Sequence, residues 1–333
     1  MKKTLIALAV LAVSGTAFAQ STATISGSIS TGIMDTGLVG AKAGVAQLGG
    51  GANAINIVTV EDLGGGMRGG FDSQMRFNAI TGDVNSSGNG NALFHGANAY
   101  LGGGFGTLRV GKIIEANNCA YDPWACTGGA GTMAAAAGTI SALVAAGTAS
   151  SSVSYATPNM AGFSASWQTG VSNRTNERQV LSLNYSSGPL TAQYLNAKNG
   201  AASSGNAALG AAVSAAFDAV ASDTKSNATF MGASYAFGFG RVNVGNTVSE
   251  NAAGAKTADI TTFGASVPMG AYTLLAGYNK AKRIGSINAT NDTKMAVGVT
   301  YALSKRTSVG ADMFKQDQTG GSTGFVGRLR HTF

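Results

Sequence analysis

Two cysteines, Cys119 and Cys126, are separated by six residues in a chain whose only histidines are His95 and His331. In an exported protein such a pair is read as a disulfide, closing a short ring around Pro123 and fixing Asp122 and Trp124 relative to one another. Zinc is the weaker rival, because neither histidine lies at ligand spacing from the cysteines. A hydrolytic site would have to be assembled from Ser, Asn and His95, and no flanking signature marks one. Gly64-x-Gly66-x-x-Gly69 matches the letters of a dinucleotide fingerprint, but Phe71-Asp72-Ser73-Gln74-Met75 follows it in strand spacing, where the fingerprint must open a helix. No cofactor is expected. The remaining charged chemistry lies in isolated arginines, among them Arg68, Arg76, Arg109 and Arg178, so the elements that carry them decide what they do.

Those elements have a period of two. Ile25, Ile29 and Ile33 alternate with Thr24, Ser26, Ser28 and Ser30. Phe163, Ala165 and Trp167 alternate with Ser164, Ser166 and Gln168, and Leu181, Leu183 and Tyr185 with Ser182 and Asn184. Met295, Val297, Val299 and Tyr301 repeat the pattern. The spacing predicts sixteen strands, near 22–35, 52–62, 67–78, 93–101, 105–113, 151–157, 161–170, 177–186, 189–198, 225–237, 239–250, 257–267, 271–282, 293–303, 306–316 and 322–333. Tight turns such as Gly64–Gly66, Gly102–Gly104 and Pro268–Gly270 alternate with long segments, of which 114–150 and 199–224 are the longest.

Composition limits what such a chain can be. The 333 residues include 49 glycines and 4 prolines, and 11% are charged against 44% apolar. The charged share is about half the usual ~25%. A soluble sandwich of this length would place many charges on its outer face, which this chain cannot supply. No stretch beyond the leader approaches the ~18 apolar residues of a membrane helix. Lys2 and Lys3, an apolar run from Leu5 to Val13 and Ala17-Phe18-Ala19 read as a signal peptide over 1–19. Its removal leaves residues 20–333 with a formal charge of +5, the full chain's +7 less the two lysines. Basic residues are spaced singly, so no nucleic-acid partner is expected.

Short turns at one end and long loops at the other describe an all-β, 16-stranded antiparallel transmembrane β-barrel. Closure is physically required, because backbone polar groups in lipid must all be paired. Tyr100, Phe105, Tyr155, Phe163, Tyr185, Tyr235, Phe237, Tyr272, Tyr301 and Phe333 fall close to the short turns or the C-terminus, where a girdle at the inner lipid interface is expected.

The motifs carry a resemblance. EDLGGG at Glu61–Gly66, FGTLRVGK at Phe105–Lys112, SVSYATPNMAGFSASWQ at Ser152–Gln168, GASYAFG at Gly232–Gly238, YALSKRT at Tyr301–Thr307 and the terminal LRHTF resemble the general diffusion porins of Gram-negative bacteria, of the β-proteobacterial type. The resemblance implies a homotrimer in the outer membrane, surrounded by lipid and lipopolysaccharide, passing small ions and polar solutes through a water-filled lumen. Leu329, His331 and Phe333 resemble the assembly signal read by the barrel-assembly machinery. The family's third loop, here about 113–150, would fold into the barrel and carry Glu115 and Asp122 as the acidic side of a constriction. Arg68, Arg76, Arg109 and Arg178 would form its basic side, giving a weak anion preference. Positions where relatives carry arginine align with Ala54, Ala97 and Ser154, which weakens that preference. The Ala-rich stretches Met133–Ala146 and Ala207–Ala221 could form short helices. A barrel acting mainly as adhesin or structural protein, and an outer-membrane hydrolase, are the alternatives.

Overall fold

The computed structural model describes residues 21–37, 42–48, 53–84, 93–126, 148–171, 178–199, 226–251, 253–284, 292–317 and 322–333. The leader, Met133–Ala146 and Ala207–Ala221 lie outside these residues. The strands are β1 (Thr22–Asp35), β2 (Gly44–Gln47), β3 (Ala54–Gly64), β4 (Met67–Arg76), β5 (Gly96–Gly103), β6 (Gly106–Ile114), β7 (Thr148–Ala156), β8 (Phe163–Gly170) and β9 (Gln179–Ser187). They continue with β10 (Leu190–Asn199), β11 (Ser226–Phe237), β12 (Gly240–Glu250), β13 (Lys256–Met269), β14 (Tyr272–Ile284), β15 (Asp292–Ala302), β16 (Thr307–Gln316) and β17 (Ser322–Thr332).

Every neighbour pairs antiparallel, and the sheet closes where β1 meets β17 from Ser28↔Thr332 to Asp35↔Phe325. Seventeen segments make sixteen staves. Both β2 and β3 pair with the same side of β1, through Thr31↔Gln47 to Met34↔Gly44 and Thr22↔Val60 to Ser28↔Ala54. They are two halves of one stave, interrupted after Leu48. Leu48 N–H donates to Ser30 O at 3.2 Å, and Asn53 Oδ1 accepts from Ser30 N–H at 2.5 Å, so the edge of β1 stays paired across the break.

Alternation then sorts the side chains. Ile25, Ile33, Phe163, Trp167, Leu183, Val297 and Leu329 stand on the outer wall, while Ser30, Asn98, Gln168, Ser182, Asn243 and Thr247 face inward and are buried. An apolar exterior of this kind is stable in hydrocarbon, where each outward Ile, Leu or Phe avoids about 1.5–3 kcal/mol of hydration cost. Aromatic pairs Phe163–Tyr185, Tyr235–Phe237 and Tyr272–Tyr301, with centroids 4.5, 4.7 and 4.7 Å apart, mark the interface near the short turns. Tyr100 does not belong to that girdle. It pairs with inward-facing Arg109, and its hydroxyl donates to Thr59 O at 2.9 Å.

The candidate pore constriction

After Ile114 the chain enters the barrel and lands on the inner wall of β9 to β17. At its root, Arg178, just before β9, makes a two-pronged ion pair with Glu115, with Nη2 to Oε2 at 2.6 Å. The Glu115 side chain is fully buried. Gln193 Nε2 on β10 donates to Asn117 O at 3.2 Å, and the Arg241 guanidinium on β12 donates to Ala120 O. A single 3-10 turn at Cys119–Tyr121 then turns the tip. Tyr121 leaves it to pack on Phe230, ring centroids 5.3 Å apart, in a dry cluster with Val180, Leu195 and Ile260.

The tip is a ring. Cys119 and Cys126 are joined by a disulfide, with Cα atoms 5.3 Å apart. Inside the ring, Asp122 Oδ1 accepts from Trp124 N–H at 3.3 Å and its Oδ2 from Cys126 N–H at 3.0 Å. Pro123 rests where Gly264 leaves room, since a Cβ there would lie 2.5 Å from the proline ring. Trp124 reaches furthest. Its indole N–H donates to Asp312 Oδ1 at 3.0 Å, and the ring packs with Leu48, Leu275, Ala296, Phe314 and Val326. Gly298 keeps that place clear, because a Cβ would collide with the Asp312 carboxylate. Asp312 in turn pairs with Arg328, Nε to Oδ2 at 2.6 Å.

The wall of β4 to β6 has a different character. Register and alternation put Arg68, Gly70, Asp72, Gln74 and Arg76 on the inner face of β4, beside Asn98, Tyr100 and Arg109. Arg109 Nη1 contacts Asp72 Oδ2 at 2.9 Å and Asn98 Oδ1 at 3.0 Å, and its guanidinium carbon sits 5.2 Å above the Tyr100 ring. Arg68 is exposed on this face, Asp72 and Arg109 keep about a third of their side-chain surface exposed, and Arg76 is half-buried, its Nε donating to Gln74 Oε1 at 2.7 Å.

A family model described as Gram-negative porin matches residues 4–321. This chain belongs to the Gram-negative porins. It is 31% identical over 255 residues to outer membrane porin protein 32 of Delftia acidovorans, covering 73% of this chain and 68% of that relative. Among solved structures, an anion-selective porin from Comamonas acidovorans superposes with a TM-score of 0.71 at 21% identity, over 94% of this chain and all of the other. OmpT of Vibrio cholerae, in a form lacking loop L8, gives a TM-score of 0.65 at 13% identity, over 94% and 99%. The porin therefore resides in the outer membrane, crossing it with strands.

The sequence-predicted residues separate into two groups in this porin. Arg68, Arg76 and Arg109 share the inner face of β4 and β6, where Arg68 is exposed, Arg109 one-third exposed and Arg76 half-buried, whereas Arg178 is tied to Glu115 and both Glu115 and Asp122 are buried against the loop's landing site. The three positions aligned with family arginines also find an explanation in the register. Ala54 lies opposite Arg76 and Ser154 opposite Arg109, so a basic side chain stands one stave away at the same level. Ala97 shares the outward parity of Leu101, and the lumenal neighbour is Asn98. At the terminus, Leu329 and Phe333 are exposed on the outer face, and His331 Nδ1 lies 2.9 Å from Thr307 Oγ1. Phe333 pairs with Gly27 through both backbone groups, and its ring covers that glycine.

Sequence reading missed Gln193, Arg241 and Asp312 as anchors of the loop. Asp312 had a visible signal: a lone carboxylate at lumenal parity between Gly310 and Phe314, on a stave that pairs with one carrying Arg328.

Proposed function

We propose that this porin is a general diffusion channel with a weak preference for small anions. The reading rests on one observation: Glu115 and Asp122 of the loop are buried, while Arg68 is exposed and Arg109 one-third exposed on the inner face of β4 and β6. Fixed positive charge along a narrow water path raises the local concentration of anions. The printed description of the Comamonas acidovorans neighbour as anion-selective supports the same sign. Within this reading Arg178 is a strut that neutralises Glu115 and holds the loop root, and Arg328 does the same for Asp312.

A homotrimer accompanies the proposal. Ala311 and Gly327 leave a shallow apolar groove on the outer wall, bordered by Ile33, Val297, Met313 and Phe325, into which side chains of another barrel can pack. Lipopolysaccharide, the barrel-assembly machinery acting on Leu329, His331 and Phe333, and a leader over 1–19 complete the picture. The family match favours a channel over an enzyme.

Recording purified protein in planar bilayers across a salt gradient tests the proposal. Stepwise conductance with a reversal potential of anionic sign is expected. A barrel that seals the bilayer would favour the adhesin reading, and a cationic reversal potential would reverse the assignment of the wall.

A further inference from the structure

Three ion pairs among the described residues of the inner wall differ in their access to water. Glu115 and Asp312 have fully buried side chains, and their partners Arg178 and Arg328 are 15% and 9% exposed. The Asp72 and Arg109 side chains instead keep 36% and 33% of their surface exposed. Among the inner-wall ion pairs above the periplasmic turns, that of Asp72 has the carboxylate in contact with the lumen. It stands four residues from both Arg68 and Arg76 on the same face of β4, about 13 Å from each at the rise of a strand. Its negative charge thus lies on a face that also carries Arg68, Arg76 and Arg109.

The position matches the level of the constriction. Arg109 lies three residues past Gly106 at the base of β6, and Gln193, which holds the loop at Asn117, lies three residues past Leu190 at the base of β10. Solutes that clear the loop pass the Asp72–Arg109 pair at that level.

We propose that Asp72 is the residue that sets how weak the anion preference is, by masking an arginine that would otherwise face the solute stream. This rests on the porin reading above and deepens it. Arg109 does not depend on Asp72 for its place, because Asn98 Oδ1 accepts from it and Tyr100 supports its guanidinium. Removing the carboxylate charge therefore exposes a positioned cation. The charge acts through water, so its influence extends about one Debye length, roughly 10 Å at 0.1 M salt and 3 Å at 1 M.

The test compares reversal potentials of the unsubstituted porin, D72N and D72E at low and high ionic strength. In D72N the anion-to-cation permeability ratio rises about twofold or more at 0.1 M salt and the increase shrinks towards 1 M, while D72E keeps the original ratio. A second variant, D72C, is labelled within the inserted channel. A neutral methylthio group leaves the ratio high, and a sulfonatoethyl group returns it to the original value. An unchanged ratio in D72N, or one indifferent to the charge of the label on D72C, overturns the proposal while leaving the porin reading intact. Failure of the unsubstituted protein to conduct at all overturns both.

Discussion

The indole N–H of Trp124 donates to Asp312 Oδ1 at 3.0 Å, joining residues 188 positions apart and fixing the tip of the constriction loop to β16. The contact is dry: Trp124 is 3% and Asp312 2% exposed. Asp312 also compensates Arg328, so the three residues act as one unit. Trp124→Ala empties the space between Leu48, Leu275 and Phe314, and a buried Trp→Ala change costs about 3–5 kcal/mol. The loop tip should come loose before the barrel does. The expected result is a barrel that still migrates as a folded species on unheated gels but shows noisier and larger single-channel conductance. Conductance indistinguishable from the original would mean that the tryptophan does not hold the loop.

Substituting Arg178 and substituting Glu115 should have opposite kinds of effect. Arg178→Ala leaves a carboxylate buried without compensation, at a cost of about 3–5 kcal/mol. Glu115→Gln keeps the shape and removes a charge that does not face water. The first should lower the temperature at which the folded band is lost. The second should leave the reversal potential unchanged, because a fully buried and paired charge contributes little to the field in the lumen. A marked rise in anion preference in Glu115→Gln would place the carboxylate in the solute path after all.

Much of this was legible in the residues, for definite reasons. The staves could be read because outward positions such as Ile25, Phe163 and Val297 are apolar and their neighbours small or polar, which repeats without long-range information. The second stave was read as beginning only near residue 52, because Leu48 and the glycines after it break the alternation, and β2 is recognised as its first half only through pairing with β1. Tyr100 looked like a girdle residue because aromatics near short turns occur on either face, and only the pairing with Arg109 decides. The burial of Glu115 and Asp122 was hidden for another reason. Which wall the loop lands on depends on partners such as Arg178 and Asp312, 63 and 190 residues away from those acids. Composition placed the charges in the barrel; packing decided which of them face water.

The disulfide closes a small ring whose neighbours already hold it. For eight residues the chain-entropy estimate is about 2.5 kcal/mol. Glu115, Tyr121 and Trp124 anchor the loop on both sides of the ring, so Cys119→Ser with Cys126→Ser should keep an open, folded channel with a modest loss of thermal stability. Thiol labelling of the untreated, denatured protein should give no product, and labelling after reduction should give two adducts per chain. Labelling without reduction would show the bond to be absent, and collapse of conductance in the double variant would make the ring the principal anchor.

His95 precedes β5 beside Arg76 and Lys112, and burial, then the charges of these two residues, push its pKa from the ordinary 6.5 down to about 3. The imidazole is therefore neutral in the folded porin at neutral pH. Because the folded value lies below the unfolded one, the unfolded chain takes up a proton first as pH falls. Stability should be flat in this respect above about pH 6.5 and decline from there down towards pH 3. His95 N–H donates to Gln74 O at 2.8 Å, so the loss should be felt first where β4 ends and β5 begins. His95→Gln keeps a polar group of similar size and does not titrate, so it should remove that part of the decline. The measurement is urea unfolding of both proteins at pH values from 7.5 to 3.5, a range chosen to span the two pKa values. Curves that stay parallel throughout would mean that His95 is protonated equally easily in both states, and that Arg76 and Lys112 do not hold it neutral.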